Sequence, residues 1–214
     1  AIGMQRILKR KSLVRKLVAA ETLGSVSIIC TDKTGTITEG QMRVTHLVTP
    51  HETYTIEALP SSSSTVEQML SVMALCNDAL VAGNGEARGT PTERALLEAF
   101  VKLNGDREAL LARHERIAEV PFDSAKKFMI TAHVWEDNTR LLMKGASTAV
   151  LPRCTEMEIG GEIVSLTPDR LAQLEAQELT LTRQGLRLIA LAQKNHPKRL
   201  EKITALDQAD FVFL

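Results

Sequence analysis

The chain has 214 residues, 44% of them hydrophobic and 24% charged, which is room for one large domain or two small ones with a buried core and excludes a disordered or collagen-like chain. Three widely spaced cysteines, Cys30, Cys76 and Cys154, form no CxxC pair, so a disulfide-stapled scaffold is excluded and a reducing setting fits best. No apolar run approaches the roughly 18 residues that a membrane-crossing helix requires. The formal net charge of zero conceals a gradient: residues 1–20 hold six bases and no acid, leaving 20 bases and 26 acids in the rest.

In chain order, Ile7, Leu8, Leu13, Val14, Leu17 and Val18 recur at helical spacing, so the chain opens on an amphipathic helix over Ile2–Ala20 with a basic face. That face suits nucleic acid, anionic lipid headgroups or simply solvent. Val26–Cys30 is a β-branched apolar run that predicts a buried strand, with Cys30 a small core residue, and Thr31–Thr36 predicts a polar loop at its end. Strands are expected near Val44–Val48 and Tyr54–Ala58, then a serine connector, Ser61–Ser64. Ser64 and Glu67 have capping-box spacing ahead of a helix running to about Leu80. After the loop Gly83–Gly89, a second helix starts with Thr90 as N-cap, Pro91 at N1 and Glu93 at N3, ending near Leu103. Strands follow at Ile117–Phe122, Phe128–Val134 and Arg140–Met143, the last two joined at Asp137-Asn138. A hairpin is expected at Gly160-Gly161, a helix from Thr167-Pro168 to about Arg183, a strand at Leu186–Gln193 and an apolar strand at Phe211–Leu214 with no partner obvious in sequence.

The sharpest chemical signal is Asp32-Lys33-Thr34-Gly35-Thr36-Ile37-Thr38. It joins a carboxylate nucleophile to an adjacent cation, hydroxyls, and a glycine that lets backbone N–H groups approach a phosphate. It reads as a site for an aspartyl phosphate, against the plainer reading of a polar turn. No Gly-x-x-x-x-Gly-Lys-Ser/Thr string exists, which excludes a P-loop. The five histidines stand singly, without metal-ligand spacing.

The Asp32–Thr38 string resembles the phosphorylation motif of P-type ATPases, ion pumps within the haloacid dehalogenase-like superfamily. The stretch Val14–Gly24 is similar to the stalk of the type II pumps, which include calcium transporters. In phosphatases of that superfamily the second residue after the nucleophile is an aspartate acting as general acid and base; here it is Thr34, which cannot exchange a proton near neutral pH. A long-lived phosphoenzyme is the implied result.

Four further strings support the resemblance. Gly89-Thr90-Pro91-Thr92-Glu93 is similar to the family's Gly-Asp-Pro-Thr-Glu, departing at Thr90, and Glu93 also fits a plain capping box. Pro121-Phe122-Asp123-Ser124-Ala125-Lys126-Lys127 is similar to the loop whose aromatic stacks on adenine, with Lys127 near; the other reading of Phe122 is a core anchor. Lys144-Gly145-Ala146 matches a motif lining the adenosine pocket, and Arg187 in Gly185–Ala192 corresponds to an arginine on the phosphate side of the nucleotide.

The resemblance implies an α/β chain: an α+β nucleotide-binding domain with an antiparallel sheet flanked by helices, inserted in part of a Rossmann-like phosphorylation domain. The implied divisions are residues 1–21 as stalk, 22–44 as the first segment of the phosphorylation domain, 45–207 as the nucleotide-binding domain and 208–214 as the return. It implies Asp32, Lys33 and Thr34 as catalytic residues, Asp32 and Thr34 as Mg²⁺ ligands, and Glu93, Phe122, Lys127, Lys144, Gly145 and Arg187 around ATP. The partners implied are transmembrane and actuator domains of the same polypeptide, with the stalk near the membrane, no nucleic acid, and a monomeric piece on the cytoplasmic side of a cell-membrane protein. Two further readings are a nucleotide-binding module without turnover and a capped phosphatase of the same superfamily.

Overall fold

A computed structural model describes residues 2–11, 18, 22, 24–60, 63–81 and 87–214. The chain divides into two units, Ala1–Gln41 and Met42–Leu214. Among the described residues no helix is long and apolar enough to cross a membrane.

In the first unit, α1 spans Ile2–Lys9. The remainder of the expected opening helix, residues 12–17 and 19–20, lies outside the described residues. Val26–Cys30 is a correction: the run forms no strand, Ile28 and Ile29 are each 79% exposed, and Cys30 is exposed rather than in a core. A β-branched run becomes a strand only where a neighbouring strand takes its backbone hydrogen bonds, and the described residues of this unit include none. The chain then makes one wide helical turn, Lys33–Ile37, which the Thr38 N–H closes onto the Lys33 carbonyl at 3.1 Å.

The second unit opens with the hairpin β1 (His46–Val48) and β2 (Thr53–Thr55). Helix α2, Ser64–Leu75, has Ser63 rather than Ser64 as N-cap: the Ser63 hydroxyl accepts from the Val66 N–H, while Ser64 and Thr65 donate to the buried Glu158 carboxylate. The helix ends five residues before Leu80, which instead begins β3 (Leu80–Val81), paired with β4 (Ala87–Arg88). Ser61 and Ser62 of the serine connector, and residues 82–86 of the glycine loop, lie outside the described residues. Helix α3, Pro91–Lys102, begins as its sequence dictates, with Thr90 accepting from the Glu93 N–H. A short helix, α4 (Arg107–Arg113), follows where sequence patterning assigned nothing.

The remaining strands are β5 (Arg116–Val120), β6 (Phe128–Trp135), β7 (Asn138–Gly145), β8 (Cys154–Ile159), β9 (Glu162–Ser165), β10 (Ala190–His196) and β11 (Phe211–Phe213). They form one seven-stranded sheet in the order β5-β6-β7-β10-β11-β8-β9, antiparallel throughout except for β11 beside β8. Helix α5 (Ser147–Val150) follows β7, and α6 (Pro168–Arg183), capped by Thr167, follows β9. The expected architecture, a large antiparallel sheet flanked by helices, holds. The β8–β9 turn is Gly160-Gly161, with φ of +58° and +93°, a doubly left-handed turn that glycine adopts without steric cost. The β6–β7 turn is Glu136-Asp137, one residue earlier than expected, because Trp135 and Asn138 already pair.

Alternation along β6 and β7 divides the core. Met129 and Leu142 pack with α2, α3 and Leu191, whereas Phe128, Ile130, Leu141 and Met143 pack on the opposite face with Val150, Ala192 and Phe211. Both faces are covered over the apolar run Leu141–Met143, and Lys144, which follows it, is a buried charge at the end of that run.

Candidate functional site

Lys144 is the penultimate residue of β7. Its register partners are Met129 and Leu191, so it shares the face covered by α2 and α3 and is almost fully enclosed. A lone buried ammonium is costly. Its partner is Glu93, whose Oε1 lies 2.9 Å from Nζ, with the two side chains 7% and 12% exposed.

Glu93 is held by the start of α3. Pro91 at N1 and Thr90 at the N-cap fix the first turn, the Thr90 hydroxyl lies 3.1 Å from Oε2, and the Asp78 N–H donates to Oε1 at 3.1 Å. The helix N-terminus favours a carboxylate there. Burial pushes the Glu93 carboxyl up, but the hydrogen bond and charge of Lys144, with the Asp78 and Thr90 donors, outweigh it and hold the carboxyl below its ordinary value.

Gly145 pairs with Phe128 on one side and Ala190 on the other. A Cβ there would lie 2.5 Å from the Lys127 carbonyl oxygen and 2.8 Å from the Phe128 Cα, so no other residue fits without moving backbone. That carbonyl accepts the Ala146 N–H at 3.0 Å, and Lys127 itself takes a left-handed φ of +61°. The loop Pro121–Lys127 is closed on itself by Asp123: Oδ1 accepts the Ala125 and Lys126 N–H groups, which hold its carboxyl below the ordinary value, and its carbonyl accepts from Lys127. Phe122 is 59% exposed on this loop and is not a core anchor. Lys127 is exposed as well.

Arg187 is exposed, but not on a strand: β10 begins at Ala190, four residues later than the apolar run suggested. The strand starts where its partner permits, since β7 ends at Gly145, the residue facing Ala190. Register therefore gathers the entry to β6, the exit of β7 and the entry to β10 at one end of three adjacent strands. The loop leaving β5 arrives at the same end, because Val120 pairs with Ile130. Phe122, Lys127, Lys144, Gly145 and Arg187 thus lie on segments that meet there, and Glu93 is tied to them directly through Lys144.

Asp32, Lys33 and Thr34 belong to the other unit. Asp32 and Lys33 are exposed at the start of the wide turn, and Gly35 holds a φ of +80° that a side chain would strain. Among the described residues no group of three or more His, Cys, Asp or Glu is arranged to hold a metal.

Sequence reasoning missed the support behind Glu93. Asn77, fully buried, donates from Nδ2 to the Met73 and Glu93 carbonyls at 2.9 and 3.0 Å, and its Oδ1 accepts from the Ala79 N–H at 2.8 Å. Arg107 and Arg116 donate to the carbonyls that end α2 and to those of Asn77 and Ala79. The signal available was a polar pair, Asn77-Asp78, placed directly after an apolar helix.

The family described as P-type ATPase, cytoplasmic domain N, matches residues 65–213. Among curated proteins, the chain is 40% identical over 196 residues to Calcium-transporting ATPase 1 of Bacillus cereus, covering 92% of this chain and 22% of that protein. It is 35% identical over 230 residues to the Calcium-transporting ATPase of Bacillus subtilis, covering 98% and 26%. It is 36% identical over 211 residues to the Probable cation-transporting ATPase F of Mycobacterium bovis, covering 89% and 23%. The chain thus spans about a quarter of the length of these relatives. A family match over most of the seven-stranded unit, together with this identity across nearly the whole chain, makes the chain a member of the P-type ATPase family that carries the cytoplasmic domain N.

Proposed function

We propose that the unit Met42–Leu214 binds ATP at the sheet end formed by the Phe122 loop, Lys144-Gly145 and the approach to β10. The observation that carries this reading is the enclosed Lys144 ammonium, neutralised by Glu93, at the end of the buried apolar run Leu141–Met143 and beside a loop that presents an aromatic ring to solvent. In this arrangement Phe122 stacks on the purine, Gly145 lets the ligand approach the backbone, Lys144 and Glu93 contact the nucleoside, and Lys127 and Arg187 meet the phosphates. Residues 22–44 are proposed as the first segment of a phosphorylation domain, residues 45–207 as the nucleotide-binding domain, and 208–214 as the return.

In the intact protein an oxygen of the Asp32 carboxylate attacks the γ-phosphorus, the bond to the β,γ-bridging oxygen breaks, and ADP leaves. Lys33 offsets charge on the transferred group. The donor set at Asp32 and Thr34 fits Mg²⁺, which binds few protein oxygens alongside substrate phosphates and, when bound, would neutralise them. Thr34 supplies no acid–base group, so the phosphoenzyme persists. Calcium is the proposed cargo, after the names of the relatives, with transmembrane and actuator domains as the partners within the intact polypeptide, on the cytoplasmic side of the membrane. The isolated chain binds nucleotide without turning it over.

Titration with ATP, followed by NMR or fluorescence, tests this in wild type, Phe122→Ala and Lys144→Glu. Weakened binding in both variants is expected, and unchanged affinity in both overturns the pocket.

A further inference from the structure

Glu93 and Lys144 sit on different elements, and something must hold their separation. The Asn77 amide uses every hydrogen-bonding group it has toward that end. Its Nδ2 bridges the Met73 carbonyl, near the end of α2, and the Glu93 carbonyl, in the first turn of α3, while Oδ1 fixes the Ala79 N–H. Its own carbonyl accepts from Arg107 at 2.7 Å and Arg116 at 2.9 Å. The following peptide, clamped on both sides, aims the Asp78 N–H at the same Glu93 oxygen that takes Lys144. We propose that Asn77 is a positioning residue for nucleotide binding: it fixes both the backbone of Glu93 and the N–H donor on its carboxylate, and so sets the Glu93–Lys144 pair. The inference rests on the pocket reading above.

The test uses the 214-residue chain with Asn77→Ala, Asn77→Ser and, as a control of comparable stability loss in a separate part of the core, Leu174→Ala. Three quantities are read: melting temperature, the Glu93 carboxyl titration by NMR without nucleotide, and ATP affinity. Losing an aligned donor to a charged group predicts an upward shift of the Glu93 titration and about tenfold weaker binding in the Asn77 variants. Leu174→Ala should leave both unmoved. An Asn77 variant that melts earlier yet keeps the wild-type titration and affinity overturns the proposal. If neither Asn77 variant folds, exchange in the wild type decides: the Asn77 side-chain amide protons must exchange slowly, in step with the Asp78 N–H, and fast exchange refutes the inference. Failure of the wild type to bind ATP would sink the pocket reading and with it the role in nucleotide binding, whereas the Glu93 titration, which needs no nucleotide, separately reads whether Asn77 sets the Glu93–Lys144 pair.

Discussion

Lys144 Nζ and Glu93 Oε1 lie 2.9 Å apart, joining the end of a central strand to the first turn of a helix. Each charge is enclosed only because the other is present. Removing one partner, as in Lys144→Met, leaves the second uncompensated and is expected to cost about 2–3 kcal/mol, whereas Lys144→Met with Glu93→Gln recovers part of the loss. Denaturant unfolding of the two single variants and the double variant checks this. Since the folded Glu93 carboxyl is held below its ordinary value, its contribution is present above the unfolded carboxyl range and is lost as pH falls through the depressed folded value. Glu93→Gln should remove that segment of the acid profile.

Gly145→Ala places a methyl against the Lys127 carbonyl and the Phe128 backbone, neither of which has a flexible end that can yield. A loss of about 1–3 kcal/mol is expected from overpacking, with chemical-shift changes concentrated in residues 127–128 and 146. An unperturbed melting temperature would contradict the described register.

Much of this was legible in the sequence because it is local. Thr90-Pro91-Thr92-Glu93 contains its own cap, Gly160-Gly161 its own turn, and Thr167-Pro168 its own helix start, and each element appears where those residues dictate. What failed depends on distant partners. Val26–Cys30 and Leu186–Ile189 have strand composition, yet the first has no neighbour among the described residues of its unit and the second lies beyond the end of β7. Phe211–Phe213, with no evident partner in sequence, is sandwiched between β10 and β8. Of the candidate site, Glu93, Phe122 and Lys144 are proposed from strings, but the Asn77 amide and the Arg107–Arg116 clamp act through backbone carbonyls, which leave no pattern in side-chain type.

His133 offers a second pH test on a different titrating group. It is fully buried; Nδ1 lies 3.0 Å from the His114 carbonyl and Nε2 2.9 Å from the Thr131 hydroxyl, and burial pulls its pKa down from 6.5 to about 4. Between those values the unfolded chain binds the proton and the folded chain does not, so stability falls as pH drops from 6.5 towards 4, by at most about 3 kcal/mol. His133→Gln should flatten the unfolding free energy across that window, and an unchanged slope would contradict the assignment.

Phe122→Ala separates binding from folding. With its ring mostly in solvent, truncation should change stability by under about 0.5 kcal/mol. Loss of one stacking face predicts roughly tenfold weaker ATP binding. Thermal melts and an ATP titration on the same preparation read both.

The most direct measurement is an isotope-filtered NOE experiment on the chain saturated with ATP, reading contacts from the adenine H2 and H8 protons. Cross-peaks to the Phe122 ring and the Lys144 methylenes are predicted. Adenine contacts confined to other residues, with none to Phe122 or Lys144, would contradict the pocket.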